Sequence, residues 1–136
     1  MSGRYLVLRG CAALIVVAGG LLSAVPATAA PRYTGWVSDL LIQGYPPQRV
    51  LHASRAKTAS GGATAVFLFV DRVGKATRWK VCVDRRDSRP NCATGLTGAP
   101  GRPSGRSLFP IKPGSYTATW TVGGRTVATY SFKVVP

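Results

Sequence analysis

The stretch "GSYTATWTVGGRTVATYSFKVV", residues 114–135, constrains the fold more than any other part of the chain. Tyr116, Ala118, Trp120 and Val122 alternate with Ser115, Thr117, Thr119 and Thr121. After Gly123-Gly124 the period resumes, with Ala128, Tyr130, Phe132 and Val134 set against Val127, Thr129, Ser131 and Lys133. Alternation at every second residue turns one side of a strand to a core and the other to water. A Gly-Gly pair between two such runs signals a tight hairpin, because the favoured turn needs positive φ at both central residues. This end of the chain is β.

The same reading extends upstream. "ATAVFLFVDRVGKATRWKVCVD" reads as a second hairpin, turning near Val73-Gly74-Lys75. Its first strand, residues 65–70, is apolar on both faces and so central or covered in its sheet. Its second has Trp79, Val81 and Val83 inward and Arg78, Lys80 and Cys82 outward. Further strands are expected near residues 49–56 and 106–111. Residues 93–107, "ATGLTGAPGRPSGRS", read as an irregular connection carrying Arg102 and Arg106, with room for a short strand at its start. In residues 30–47, "GWVSDLLIQG" fits an edge strand or a helical turn, and its Trp36, Leu40, Leu41 and Ile42 need a surface to cover. About seven short strands separated by turn signals indicate an all-β chain, with a single β-sandwich over residues 48–136.

Compartment decides what the cysteines are. Arg4 and Arg9, the apolar run 10–25 and "PATAA" make residues 1–29 a secretory signal, with Ala27 and Ala29 as the small residues of the cleavage site. The mature chain is then expected to begin at Ala30. The apolar run is shorter than the roughly twenty residues of a membrane span. Cys11 leaves with the signal, and Cys82 and Cys92 remain as an even pair outside the cytosol, most simply a disulfide. A metal site is disfavoured: His52 is the only histidine and no Cys-x-x-Cys spacing exists.

The loop "CVDRRDSRPNC" has two readings. One is a staple, since short bridges mostly stiffen exposed turns. The other is the bait loop of a secreted serine-protease inhibitor offering Arg85, Arg86 or Arg89. Arg89 precedes Pro90, a poor scissile bond, so Arg86-Asp87 would have to serve. The staple is preferred.

Without Arg4 and Arg9, sixteen basic residues face four aspartates and no glutamate, a net charge of +12. Such a field attracts anionic polymers, surfaces and lipids. Catalysis finds little support. Asp39, His52 and a serine assemble a triad only on paper, without a Gly-x-Ser-x-Gly elbow. Three of the four aspartates adjoin arginines, and neither a carboxylate cluster for calcium nor a Gly-rich phosphate loop is present. No enzyme activity, metal or cofactor is expected.

"RWKV" in a mid-chain strand and "PGSYTATW" entering a late one resemble the immunoglobulin-like and fibronectin III-like domains of bacterial extracellular proteins. Pro113, Gly114, Tyr116, Gly123, Phe132 and Val134 match the pattern with which such domains often end. The resemblance covers about residues 64–136. It implies an immunoglobulin-like sandwich with Tyr116 at the tyrosine corner and Trp79 as the core tryptophan. The chain departs from antibody domains at Ala118 and near Phe67, where those carry their inter-sheet cysteines. The resemblance therefore implies a fold and no ligand.

Phe67, Trp79, Val81, Tyr116, Trp120, Tyr130 and Phe132 are the expected core. If the last hairpin pairs with the strand of Trp79, their outer face shows Thr117, Thr119, Thr121, Thr129 and Ser131 with Arg78, Lys80 and Lys133. Threonine is also simply a good β-former on a wet face. As a binding surface it would take an anionic polymer such as a wall teichoic acid, extracellular nucleic acid or acidic lipid head groups, through Arg78, Lys80, Arg85, Arg86, Arg89 and Lys133. Its aromatic residues point inward, which disfavours sugar stacking and sequence-specific nucleic-acid reading. A secreted, non-catalytic binding protein is the expectation, with another extracellular protein as the other kind of partner.

Overall fold

The computed structural model describes residues 29–56, 62–84 and 89–136. Eight strands run in the order β1 (Tyr33–Asp39), β2 (Val50–His52), β3 (Ala63–Asp71), β4 (Arg78–Asp84), β5 (Asn91–Leu96), β6 (Ser104–Ile111), β7 (Gly114–Val122) and β8 (Arg125–Val135). One short 3-10 turn, Ala53–Ala56, follows β2. The chain is all-β, in two sheets of order β1-β3-β6 and β2-β8-β7-β4-β5. All neighbours are antiparallel except β2 and β8.

β7 and β8 form the hairpin the alternation predicts, and Gly123 and Gly124 carry φ of 57° and 77°. Glycine takes that left-handed backbone without steric cost, so the turn twists with its strands. Tyr116, Ala118, Trp120, Tyr130, Phe132 and Val134 are buried, as are Trp79, Val81 and Val83 of β4. Phe67 and Phe69 of β3 meet them across the core, with Phe67 5.9 Å from Phe132 and Phe69 5.6 Å from Trp79 between ring centroids. Edge-to-face and offset ring pairs at such spacings add to the burial of their area. The two sheets share one hydrophobic core.

Three sequence expectations are corrected. β3 and β4 are not a hairpin: β3 lies between β1 and β6, and β4 belongs to the other sheet. A strand apolar on both faces buries both only from the middle of a covered sheet, and Val66, Leu68 and Val70 are buried along with Phe67 and Phe69. The strand expected over 49–56 runs only from Val50 to His52, because its parallel partner β8 ends at Val135, opposite His52. Residues 93–107 do carry the short strand allowed for at their start, as the end of β5, but the irregular connection is shorter than expected because β6 already begins at Ser104.

Ahead of residue 48, β1 lies antiparallel to β3 over its full length. The Trp36 indole N–H donates to the Tyr45 carbonyl at 2.9 Å, which folds the following turn back on the strand. Leu40 and Leu41 need no covering surface after all: they stay 41% and 60% exposed.

The crossing from β3 to β4 is organised by Asp71, whose side chain is fully buried. Its Oδ1 accepts from the backbone N–H groups of Val73 and Gly74, each at 2.9 Å, and its Oδ2 from the Thr77 hydroxyl at 2.7 Å. Arg32 completes the set with a two-pronged pair, Nε to Oδ1 at 3.1 Å and Nη2 to Oδ2 at 3.2 Å. A carboxylate that accepts from a guanidinium and several fixed donors is stabilised in its charged form. Arg32 first, then the Gly74 N–H, the Thr77 hydroxyl and the Val73 N–H, hold the Asp71 carboxyl well below the usual range against the opposing effect of burial.

Cys82 and Cys92 are direct partners in the β4–β5 register and form a disulfide. It lies on the outer side of the sheet, opposite in parity to Val81 and Val83. In the chain-entropy account a bridge over so short a loop stabilises by about 2 to 3 kcal/mol. Cys82→Ser with Cys92→Ser is therefore expected to lower the urea midpoint with the β circular dichroism retained. An unchanged midpoint would show that the bridge contributes nothing.

Candidate polyanion-binding face

β4, β7 and β8 turn one shared face outward, and their registers fix its rows. Lys80 stands opposite Thr121, Cys82 opposite Thr119, and Asp84 opposite Thr117. Thr119 in turn faces Thr129, Thr117 faces Ser131, and Ser115 faces Lys133. The result is a pavement of hydroxyl groups with Arg78 and Lys80 on one side and Lys133 at a far corner, all three cations exposed. None of the three has an ion-pair partner among the described residues, where the Arg32–Asp71 pair is the salt bridge formed.

The acids are disposed differently. Asp39 and Asp71 are buried, the first with its Oδ1 accepting from the Leu41 N–H at 2.9 Å. Asp84, exposed at the foot of β4, is the carboxylate of this face among the described residues. Asp71 neutralises Arg32, and Asp84 is the one exposed aspartate among the described residues, so the described surface remains strongly cationic and attracts anions.

Of the other predicted cations, Arg89 is exposed just before β5. Arg85 and Arg86 lie outside the described residues, so of the predicted cations the face as described carries Arg78, Lys80 and Lys133. His52 sits half-buried at the end of β2, while Asp39 is on β1 of the other sheet. Among the described residues, no group of three histidine, cysteine, aspartate or glutamate side chains could hold a metal ion.

Sequence reasoning missed the contribution of β6. The Arg106 side chain reaches over to the free edge of β5, where its Nε–H donates to the Thr94 carbonyl at 2.9 Å. Beside it the Ser104 hydroxyl donates to the Leu96 carbonyl at 2.9 Å and accepts from the Trp79 indole N–H at 3.3 Å. Gly95 allows this closeness: a Cβ there would stand 2.3 Å from the Trp79 ring. No local pattern in a Gly- and Pro-rich segment announces a contact between edges of two different sheets.

No known protein family matches this chain, and no curated protein is significantly similar to it. Among the described residues no helix is long and apolar enough to cross a membrane, and the disulfide is consistent with an extracellular location.

Proposed function

We propose that this chain is a secreted, non-catalytic binding protein. Its immunoglobulin-like sandwich docks on anionic envelope or extracellular polymers through the outer face of the five-stranded sheet. The observation that carries the reading is the meeting of Arg78, Lys80 and Lys133 with Thr117, Thr119, Thr121, Thr129 and Ser131 on one face, while two of the three described aspartates are buried. The immunoglobulin-like assignment is supported by the strand order and by the division of the first two strands between the sheets. It is supported further by the Tyr116 hydroxyl, which donates to the Lys112 carbonyl four residues upstream at 2.6 Å, as a tyrosine corner does.

Each contact between a cation and a single-stranded phosphodiester contributes about 0.7 to the slope of log affinity against log salt. The variant with Arg78→Gln, Lys80→Gln and Lys133→Gln is expected to bind a teichoic-acid-type polymer with that slope reduced by about two units. An unchanged slope, or a parent protein that ignores polyanions, would sink the proposal. Nanomolar inhibition of trypsin by the parent, lost on Arg86→Ala alone, would replace it with the inhibitor reading.

A further inference from the structure

We propose that a cleft at the Gly123–Gly124 end of this face seats one phosphodiester group of the polymer; the inference rests on the polyanion reading and sharpens it. The cleft measures about 700 Å³ and is bounded by Arg78 and Lys80 of β4, Thr94 and Leu96 of β5, Arg106 of β6 and Thr121 of β7. Among the described residues no carboxylate lines it.

Two features set it apart from a merely basic surface. The first is a cation supplied by the opposite sheet. Arg106 is tethered through Nε to the Thr94 carbonyl at 2.9 Å and through Nη1 to the Gly105 carbonyl at 3.4 Å. A guanidinium has five N–H donors, so others remain for a ligand. A side chain already held in place loses less freedom on binding than a free one, and more of its attraction appears as affinity. The second is the pair on β4. Arg78 and Lys80 are two residues apart on one side of the strand, so their Cα atoms are about 7 Å apart. One group between them can be reached by both long side chains.

The class of anion follows from this layout. A phosphodiester sets its two charged oxygens on a tetrahedral phosphorus, with the two ester oxygens pointing other ways as weaker acceptors. One charged oxygen can thus meet Arg106 on one wall while the other meets Arg78 and Lys80 on the opposite one. A carboxylate has two coplanar oxygens and engages one wall well. Thr94 and Thr121 add hydroxyl donors, and Leu96, 51% exposed, offers methylene groups of the polymer an apolar rest. The cleft is open to solvent, so a chain can enter and leave it along the threonine rows.

The test compares Arg106→Gln with Arg102→Gln, which removes an equal charge from an exposed arginine outside the cleft. Poly(glycerol phosphate) oligomers are titrated against each by calorimetry, with hyaluronate oligomers of equal charge as the carboxylate control. Arg106→Gln is expected to weaken the phosphodiester oligomer at least tenfold, and Arg102→Gln less than twofold. Amide shifts in the unmodified protein are expected to centre on Arg78, Lys80, Thr94 and Gly123, a readout that does not depend on either variant folding. Equal losses in the two variants, or shifts spread evenly over the face, would overturn the cleft and leave the polyanion reading standing. An equal loss with hyaluronate would overturn the choice of phosphate. No binding of either polymer by the parent would end both proposals.

Discussion

Trp120→Ala is expected to lower the melting temperature of the protein by more than about 12 °C, or to leave it unfolded at 25 °C. Trp120 is fully buried, 6.4 Å from Phe67 between ring centroids, with Gly35 of β1 so close to its ring that a Cβ there would lie at 2.5 Å. The backbone of one sheet thus rests on the indole of the other and has no side chain with which to refill the space. Truncating a buried tryptophan typically costs about 3 to 5 kcal/mol. A domain of this size has about 5 to 15 kcal/mol in all, and each kcal/mol is worth about 4 to 8 °C. The Trp120 indole N–H has no hydrogen-bond partner among the described residues, so the loss is one of packing. Thermal unfolding followed by circular dichroism checks it. A variant melting within a degree or two of the parent would place the ring outside the core.

The second large effect belongs to Asp71. Removing one member of a buried ion pair costs about 3 to 5 kcal/mol, chiefly because the charge left behind lacks a partner. Here that charge is on Arg32, whose side chain is 49% exposed, so Asp71→Asn should fall near the lower figure, about 3 kcal/mol at neutral pH. The pH dependence has a definite sign. The folded carboxyl is held below its ordinary value, so the unfolded chain binds more protons as acid is added. Its contribution is fully present above about pH 4 and is lost as pH falls further, by up to about 1.4 kcal/mol per pH unit. The stability gap between parent and variant should therefore narrow below pH 4. A gap that stays constant from pH 7 to pH 2 would mean that the charge of Asp71 does nothing for the fold.

What was legible in the sequence was whatever alternates. Trp79, Trp120, Tyr130 and Phe132 could be assigned to the inner face by parity, because each stands in a strand with one wet side. The same parity put Cys82 outward and Lys80 beside the threonines. β3 was read correctly as covered yet wrongly as the partner of β4. Period-two patterns tell which way side chains point, but not which of two sheets a strand joins once a turn has crossed between them. Asp71-x-x-Gly74 at a strand end marks a turn, because an aspartate there can cap the turn backbone, but it is silent on which sheet the chain enters next. Residues 33–39 carry no clean alternation, and β1 draws its place from β3. The hydroxyl face followed from single strands, whereas the Arg106 contact joins elements of different sheets and has no local trace.

The disulfide has a consequence beyond strength. β5 is polar and small on both sides, with Asn91, Cys92, Thr94 and Leu96 exposed and Ala93 and Gly95 only half-buried. A strand with no apolar side has little to tell it which partner residues to choose, and slippage is the characteristic fault of such strands. The covalent link between Cys82 and Cys92 fixes one end of the register in which Thr94 stands opposite Lys80 and Leu96 opposite Arg78. At the other end of the strand Gly95 lies so close to the Trp79 ring that no residue with a Cβ could take its place, and Arg106 and Ser104 donate to the Thr94 and Leu96 carbonyls. The bridge and the Gly95–Trp79 contact thus act as two pins, one covalent and one steric, that align β5 on β4 from its two ends.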